Sequence, residues 1–333
     1  MKKQLFKAFI LEKDSKGNQK NSIVDIGFDD LMDGDVIVKI AYSSVNYKDG
    51  LAITGKIPVI KQWPMIPGVD FSGTVIESNN NDYKEGDKVI LNGWGVGEKH
   101  FGGFAQYARV NSKWLIKLPE ELDEKKAMII GSAGYTAMLC VMAIEQSLEP
   151  YDSNNILVTG ASGGVGSFSV YILSKLGFKV IASTGKINES DYLKELGAKD
   201  IIDRNELIDN GKPLNKQLWD GVIDSVGSKT LSYAISTTKY GGIIASTGLA
   251  QGPELNTTVF PFILRSITLK GIDSVVTPKE IREKAWERLA LLVSDKTFIN
   301  ISEIKGLSDL NQVGMDIING KIKGRIVVDV NKV

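Results

Sequence analysis

The run Asn46-Tyr47-Lys48-Asp49 puts an amide, a phenol, an amine and a carboxylate on four successive positions. These types suit a step in which negative charge builds on a carbonyl oxygen and must be met by a hydrogen-bond donor or a proton. Tyr47 offers an O–H that can act as acid or oxyanion donor, and Asn46 is a neutral donor. Lys48 suits a ribose or a phosphate, and Asp49 suits positioning of the loop. Two plainer readings stay open: Tyr47 as an aromatic that only packs, and Asn46 as a turn residue satisfying backbone groups. His100, the single histidine, lies near Gly102 and Gly103 and reads as a loop residue. A Ser-His-Asp hydrolase, a His-rich metal site or a zinc finger would each have to be built around it.

A second constellation is Gly160-Ala161-Ser162-Gly163-Gly164-Val165-Gly166. Aligned on Ala161, Gly163 and Gly166, it is an A-x-G-x-x-G variant of the dinucleotide fingerprint. The glycines alone are weak evidence; the context makes them specific. A short apolar strand, 155–160, precedes them. A helix follows, with Val165, Phe168, Val170, Ile172 and Leu173 as its expected buried face and Gly177 closing it. A further strand, 179–184, comes next. Gly163 would let the backbone approach a pyrophosphate, and Gly166 would let the helix pack against the strand. The helix N-terminus supplies N–H groups and a positive dipole end for the anion.

The end of the second strand selects the dinucleotide. NAD enzymes usually carry Asp or Glu there, about twenty residues after the glycines, to hold the ribose hydroxyls. Here the residues are Ser183-Thr184-Gly185-Lys186, and no carboxylate comes before Glu189. Hydroxyls and an amine suit a 2′-phosphate, so NADPH is the expected cofactor. Arg204 would add a second cation, with solvated surface charge as an equal alternative. Gly248 and Leu249, at the end of the fifth strand, are expected near the nicotinamide by the switch-point rule.

The elements that must position these residues fall into two patterns. Before residue 126 the chain is many short strands separated by Gly, Pro and Asn, which suggests a compact β-barrel-like domain. From 126 strand and helix alternate through six strands, ending at 267–272, which is the doubly wound plan. A helix over 278–293 carries Pro278 in its first turn. The late strand 324–330 returns to the first domain. The expected organisation is an α/β protein with a catalytic domain of 1–125 and 294–333 and a Rossmann domain of 126–293.

Composition excludes other classes. Lys+Arg and Asp+Glu both total 40, so no basic excess faces a nucleic acid or an anionic membrane. Cys140 is the single cysteine and allows no intrachain disulfide. Without a secretory pattern, a cytoplasmic location is expected. No uncharged apolar run long enough to span a membrane is expected either.

Gly68-Val69-Asp70, the turn Gly86-Asp87-Lys88-Val89, the fingerprint and the returning C-terminal strand resemble the medium-chain dehydrogenase/reductase superfamily over essentially the whole chain. The positions that match the Cys, His and Cys zinc ligands of its alcohol dehydrogenases are Asn46, Val69 and Ser132. Val69 has no donor atom, so no metal is expected. Ser44-Val45-Asn46-Tyr47-Lys48-Asp49 resembles the zinc-free quinone oxidoreductase group. Asn46 to Ala52, Pro64 to Phe71, Pro261 to Arg265 and Gly271 to Ser274 are similar to the YhdH/YhfP-type quinone oxidoreductases, the branch that includes acryloyl-CoA reductases. The resemblance implies a GroES-like catalytic domain, NADPH, and reduction of an activated carbon–carbon double bond. It also implies a C-terminal arginine, Arg325, at the cofactor.

The expected activity is NADPH-dependent reduction of a small α,β-unsaturated carbonyl or an enoyl thioester such as acryloyl-CoA, with no metal. The alternatives are an NADPH-dependent quinone reductase and, from another class, a non-catalytic NADPH-binding sensor or structural protein. A small-molecule substrate, no nucleic acid, no membrane and a homodimer complete the expectation.

Overall fold

A computed structural model describes residues 4–148, 154–207, 211–293 and 302–333. The chain divides into two compact units, 1–132 with 275–333, and 133–274. The first unit opens with strands β1 (Leu5–Lys13) and β2 (Gln19–Gly27). There follow β3 (Val36–Val45), helix α1 (Tyr47–Thr54), β4 (Asp70–Ser78), β5 (Lys88–Asn92), β6 (Tyr107–Val110) and β7 (Ile116–Lys117). Helix α2 (Glu124–Glu145) is interrupted at Gly131, whose φ of 52° and ψ of −161° are not helical. The second unit holds β8 (Asn155–Val158), α3 (Gly164–Lys175), β9 (Lys179–Thr184), α4 (Ser190–Glu195), β10 (Asp200–Asp203) and β11 (Trp219–Asp224). It continues with α5 (Ser228–Thr237), β12 (Thr238–Ser246), α6 (Phe260–Arg265) and β13 (Thr268–Gly271). The chain then returns to the first unit with α7 (Lys279–Leu292), β14 (Ser302–Lys305), α8 (Leu310–Ile318) and β15 (Arg325–Asp329).

In the second unit the strand order is β10-β9-β8-β11-β12-β13, with every pairing parallel. Its inner strands read as near-continuous apolar runs because both faces are covered: Leu157, Val180, Val222 and Ile244 are all fully buried. The order reverses between β8 and β11, and β8 leads into the glycine fingerprint. This is the expected doubly wound sheet, with the phosphate turn at the switch point.

In the first unit β3 is the spine. β4 pairs along one edge of it; along the other, β6 pairs with 36–39 and β15 with 42–45. Ile326 stands opposite Val45, so the late strand does return to this unit, antiparallel to β3. Alternate residues Val36, Val38 and Ile40 are fully buried, with Phe71, Val75, Val89 and Phe104 packed in the same core. The β1–β2 hairpin is joined on by Phe9 N–H to Phe104 O and Leu11 N–H to Met65 O, at 2.9 and 2.8 Å.

Two expectations need correction. Helix α7 belongs to the first unit, so the Rossmann unit ends near 274 and not at 293. The reason is polar as well as apolar. The buried Arg282 gives Nη1 to Asn92 O and Oδ1, at 2.7 and 3.0 Å, and Trp286 is fully buried. Also, an uncharged apolar stretch of spanning length does exist within α2, where an 18-residue window has mean hydropathy 1.8. In the folded chain 89% of that window is buried, and Gly131 breaks the helix near its start. It is a core helix.

Candidate active site

The run Asn46 to Asp49 lies at the start of a helix, α1, and not in a loop. Asn46 is the N-cap residue in an extended conformation, and Asp49, three residues on, reaches back to accept from its N–H at 2.8 Å. The other oxygen of Asp49 accepts from Val69 N–H at 3.0 Å. Asp49 is buried, and that burial, aided by the charge of Asp70, pushes its pKa up to about 7 against the pull of the two backbone donors.

A second buried carboxylate completes the arrangement. Asp70 Oδ1 accepts from Ser44 N–H at 3.1 Å. Its Oδ2 accepts from Asn46 Nδ2 at 3.0 Å and from Ser132 N–H at 2.8 Å. Ser44 Oγ lies 2.8 and 2.9 Å from the two carboxylate oxygens. Arg325, only 4% exposed, donates Nε to Ile129 O and Nη2 to Ser44 Oγ, both at 2.9 Å, and Nη1 to Asn46 Oδ1 at 3.3 Å. Gly131 makes room: a Cβ there would stand 2.6 Å from Arg325 Nη2 and 2.7 Å from Ser44 Oγ. Asn46, Val69 and Ser132, the positions matched to zinc ligands, are thus tied together by Asp49 and Asp70. Val69 contributes only its N–H. Among the described residues no group of three or more His, Cys, Asp or Glu is placed to hold a metal ion.

The run separates into different roles. The amide of Asn46 is engaged on both sides, its Nδ2 with Asp70 and Ser44 Oγ and its Oδ1 with Arg325. Lys48 forms an ion pair with Glu98. Tyr47 is 46% exposed on the first turn of α1, and the side chain of Lys48 beside it is 40% exposed. Arg325, expected at the cofactor, puts its guanidinium on Ser44, Asn46 and Ile129. His100 is buried, with Nε2 2.8 Å from Arg109 O and its ring edge-on to Trp114; burial lowers its pKa. Asp70, Ser44 and Gly131 were missed as site residues. The readable signal for Asp70 is a carboxylate at the opening of a strand, followed directly by Phe71.

Burial of Asp49 makes a prediction about pH. Its folded pKa of about 7 lies above its ordinary 3.8, so the folded state binds the proton more tightly. The stability linked to this group is therefore full below pH about 4 and is lost as pH rises to about 7. Relative to Asp49→Asn, wild-type stability should fall across that window by several kcal/mol, on the order of 4. Urea unfolding of both proteins at several pH values measures it; parallel curves would contradict the assignment.

The glycine run in the second unit forms a tight turn onto the start of α3. A Cβ on Gly166 would stand 2.3 Å from Gly160 O, so α3 packs on the turn as only glycine allows. Gly163, exposed, is the N-cap of α3, and no side chain caps the helix. Its first N–H groups are thus available to an anion. Ala161 N–H donates to Ser183 O at 2.9 Å, and Ser162 Oγ lies 2.9 Å from Thr184 Oγ1, which also accepts from Lys186 N–H at 3.0 Å. Ser183 and Thr184 are both buried; Thr184 Oγ1 is held within the turn, while Ser183 Oγ has no hydrogen-bond partner among the described residues. The cations stand outside it. The Arg204 guanidinium lies against Gly185, where a Cβ would be 2.6 Å from Nε, and Lys186 Nζ is 3.6 Å from a Glu189 oxygen. Gly248 backs onto Ser225 O, 2.2 Å from its would-be Cβ, and Leu249 beside it is exposed. Asp224, unnoticed in the sequence, is buried and accepts from Thr159 Oγ1 at 2.7 Å and Gly227 N–H at 2.9 Å. It ties the end of β8 to the turn after β11, and burial raises its pKa.

Comparison with known proteins agrees with this architecture. Residues 32–120 match the alcohol dehydrogenase GroES-like domain, and residues 164–290 match the zinc-binding dehydrogenase family. The acrylyl-CoA reductase AcuI of Ruegeria pomeroyi is 46% identical over 98% of this chain and 100% of that protein. The crystal structure of Escherichia coli K-12 YhdH with bound NADPH is 47% identical, covers 97% of this chain and 100% of that one, and has a TM-score of 0.94. Bacillus subtilis YhfP, named as a quinone oxidoreductase, was solved with NAD bound; at 40% identity it covers 98% of this chain and 100% of that one, with a TM-score of 0.93.

Proposed function

This chain belongs to the medium-chain dehydrogenase/reductase superfamily, in its YhdH/YhfP-type group, and we propose that it is an NADPH-dependent reductase of an activated carbon–carbon double bond. The substrate is a small α,β-unsaturated carbonyl or an enoyl thioester such as acryloyl-CoA. The observation that carries this reading is Tyr47, an exposed O–H donor on a helix start fixed by two buried carboxylates, in a chain with a dinucleotide fingerprint. With Val69 at the histidine position, no metal site polarises a carbonyl, which disfavours alcohol oxidation and favours conjugate reduction. NADPH, when bound, supplies a hydride to the β-carbon. Tyr47 donates to the carbonyl oxygen as charge develops there, and either it or solvent delivers the proton to the α-carbon. Asp49, Asp70 and Arg325 keep α1 and Asn46 in place without touching substrate. The N-terminus of α3 holds the pyrophosphate, and Lys186 and Arg204 the 2′-phosphate.

The test is NADPH consumption with acryloyl-CoA, with a simple enone and with a quinone. Reduction of the first two supports the reading. Turnover of the quinone alone favours the second reading, which the name of the Bacillus subtilis relative motivates. Silence with all three would leave the non-catalytic binder.

Two further outcomes are expected. Exhaustive chelation should leave turnover unchanged, and elemental analysis should find no stoichiometric zinc; a bound zinc whose removal abolishes turnover would overturn the metal-free mechanism. NADPH should bind at least about tenfold more tightly than NADH, roughly 1.4 kcal/mol, and Lys186→Asp should erase that preference. Calorimetric titration with both dinucleotides decides it, and equal wild-type affinities would sink the assignment of Lys186 and Arg204.

We take the protein to be a cytoplasmic homodimer. Among the described strands β13 ends its sheet, paired only with β12, and neighbouring α6 exposes Phe260, Ile263 and Leu264 at 50, 70 and 56%. Sedimentation at micromolar concentration checks the assembly.

A further inference from the structure

Next to Tyr47 lies a group of charges that the reduction itself does not use. Lys48 pairs with Glu98. The N–H of Lys61 donates to Glu98 O at 2.8 Å, which brings a second lysine to the same residue. Lys99 follows Glu98, and its side chain lies over Gly95, where a Cβ would stand 2.5 Å from Lys99 Cε. Lys61 and Lys99 are exposed, and among the described residues neither ammonium has a carboxylate partner. Three lysines thus lie around Glu98, Lys48 by its ammonium, Lys61 by its backbone and Lys99 as its chain neighbour, in a chain whose overall charge is zero.

The loop that presents them is held in a costly shape. Gly93, Trp94, Gly95 and Gly97 have φ of 84, 57, 81 and 78°, a left-handed path that tryptophan rarely takes. Arg282 lies over the Trp94 ring at 5.2 Å, and Trp94 N–H donates to Val275 O at 2.8 Å. Such strain persists where the surroundings over-determine it, and the loop it shapes carries Glu98, which pairs with Lys48, and Lys99 next to it.

We propose that Lys61 and Lys99, with Lys48, form a recognition site for the phosphates of the carrier of an enoyl thioester, of the coenzyme A class. The proposal rests on the enoyl-reductase reading above. A carrier of this kind bears several phosphate charges at the end of a flexible arm whose other end is the reacting thioester. Lysines bind phosphate as mobile point charges and raise the encounter rate of an anionic substrate, an effect that salt screens. The site would therefore discriminate a nucleotide-bearing thioester from a neutral one with the same acyl group.

The test compares acryloyl-CoA with S-acryloyl-pantetheine, which lacks the nucleotide, at saturating NADPH. The enzymes are wild type, the double variant Lys61→Glu/Lys99→Glu, and the double variant Lys61→Arg/Lys99→Arg. The proposal expects the ratio of kcat/KM for the two thioesters to fall at least tenfold in the Glu variant, mainly through KM, and to survive in the Arg variant. Salt should depress kcat/KM for acryloyl-CoA in wild type more than in the Glu variant. A ratio that stays within twofold in the Glu variant would overturn the site. If wild type reduces neither thioester, the enoyl-reductase reading has failed, and the site is then judged by binding of free coenzyme A to the NADPH-loaded protein. Binding that the Glu variant weakens at least tenfold keeps the site; no binding, or binding the variant does not alter, removes it.

Discussion

Tyr47→Phe should lower kcat for the enoyl substrate by about 10²-fold, the range for loss of a general acid or a transition-state hydrogen bond. Asn46 has its amide engaged by Asp70, Ser44 and Arg325, and Lys48 is paired with Glu98, so the run offers one O–H facing outward. Phenylalanine keeps the ring and removes only that O–H, so NADPH affinity should barely change. Tyr47→Ala removes the ring as well and should raise the apparent KM besides. Read together, the two variants separate chemistry from packing. Single-turnover measurement ensures that chemistry is what is read. A Phe variant with unchanged kcat would remove Tyr47 from the catalytic role and leave hydride geometry and solvent to carry the step.

Gly131→Ala is expected to have the largest effect on stability. The residue has a φ of 52° and a ψ of −161°, a conformation essentially restricted to glycine, which costs any other residue about 1–3 kcal/mol. The new methyl would also stand 2.6 Å from Arg325 Nη2, 2.7 Å from Ser44 Oγ and 3.2 Å from Asp70 Oδ2. Overpacking of that kind adds about 1–3 kcal/mol, and here it pushes on the network that holds Asn46. The sum, about 2–6 kcal/mol, is a large fraction of the roughly 5–15 kcal/mol that stabilises a typical folded protein. Gly17→Ala is the control: its φ is also positive, at 82°, but nothing lies within 4 Å of the added carbon. Urea midpoints should place Gly131→Ala well below Gly17→Ala. Equal midpoints would mean that the Arg325–Ser44–Asp70 cluster yields easily and does not hold the site.

What the sequence revealed follows from which interactions are local. The fingerprint was legible because strand, glycines and helix are contiguous, and apolar runs such as Asn155–Val158 and Lys179–Thr184 are long enough to mark buried strands. The return of β15 to the first unit was legible because it is a strand left over after the six. The helical setting of Tyr47 was hidden by Gly50, which lowers helix propensity but allows close approach to α8: a Cβ there would stand 2.4 Å from Ile317 Cγ2. The capping pair Asn46 and Asp49 was the signal that could have shown it. The link from Asp70 to Ser132, and from Arg325 to Asn46, joins positions up to 279 residues apart, and no local pattern encodes such pairs. The burial of Ser183 and Thr184 was likewise invisible, because it comes from packing against neighbouring strands and turns and not from their own residue types.

In the proposed mechanism a hydride passes from NADPH to the β-carbon of an enoyl substrate without a metal. This transfer is tested by one turnover with NADPH carrying deuterium at both C4 positions of the nicotinamide, acryloyl-CoA and the chelated protein, followed by mass and NMR analysis of the thioester. The expected product is propionyl-CoA carrying deuterium at the β-carbon, with the α-carbon proton drawn from solvent. Unchanged acryloyl-CoA, or a product with no deuterium at that carbon, would contradict it.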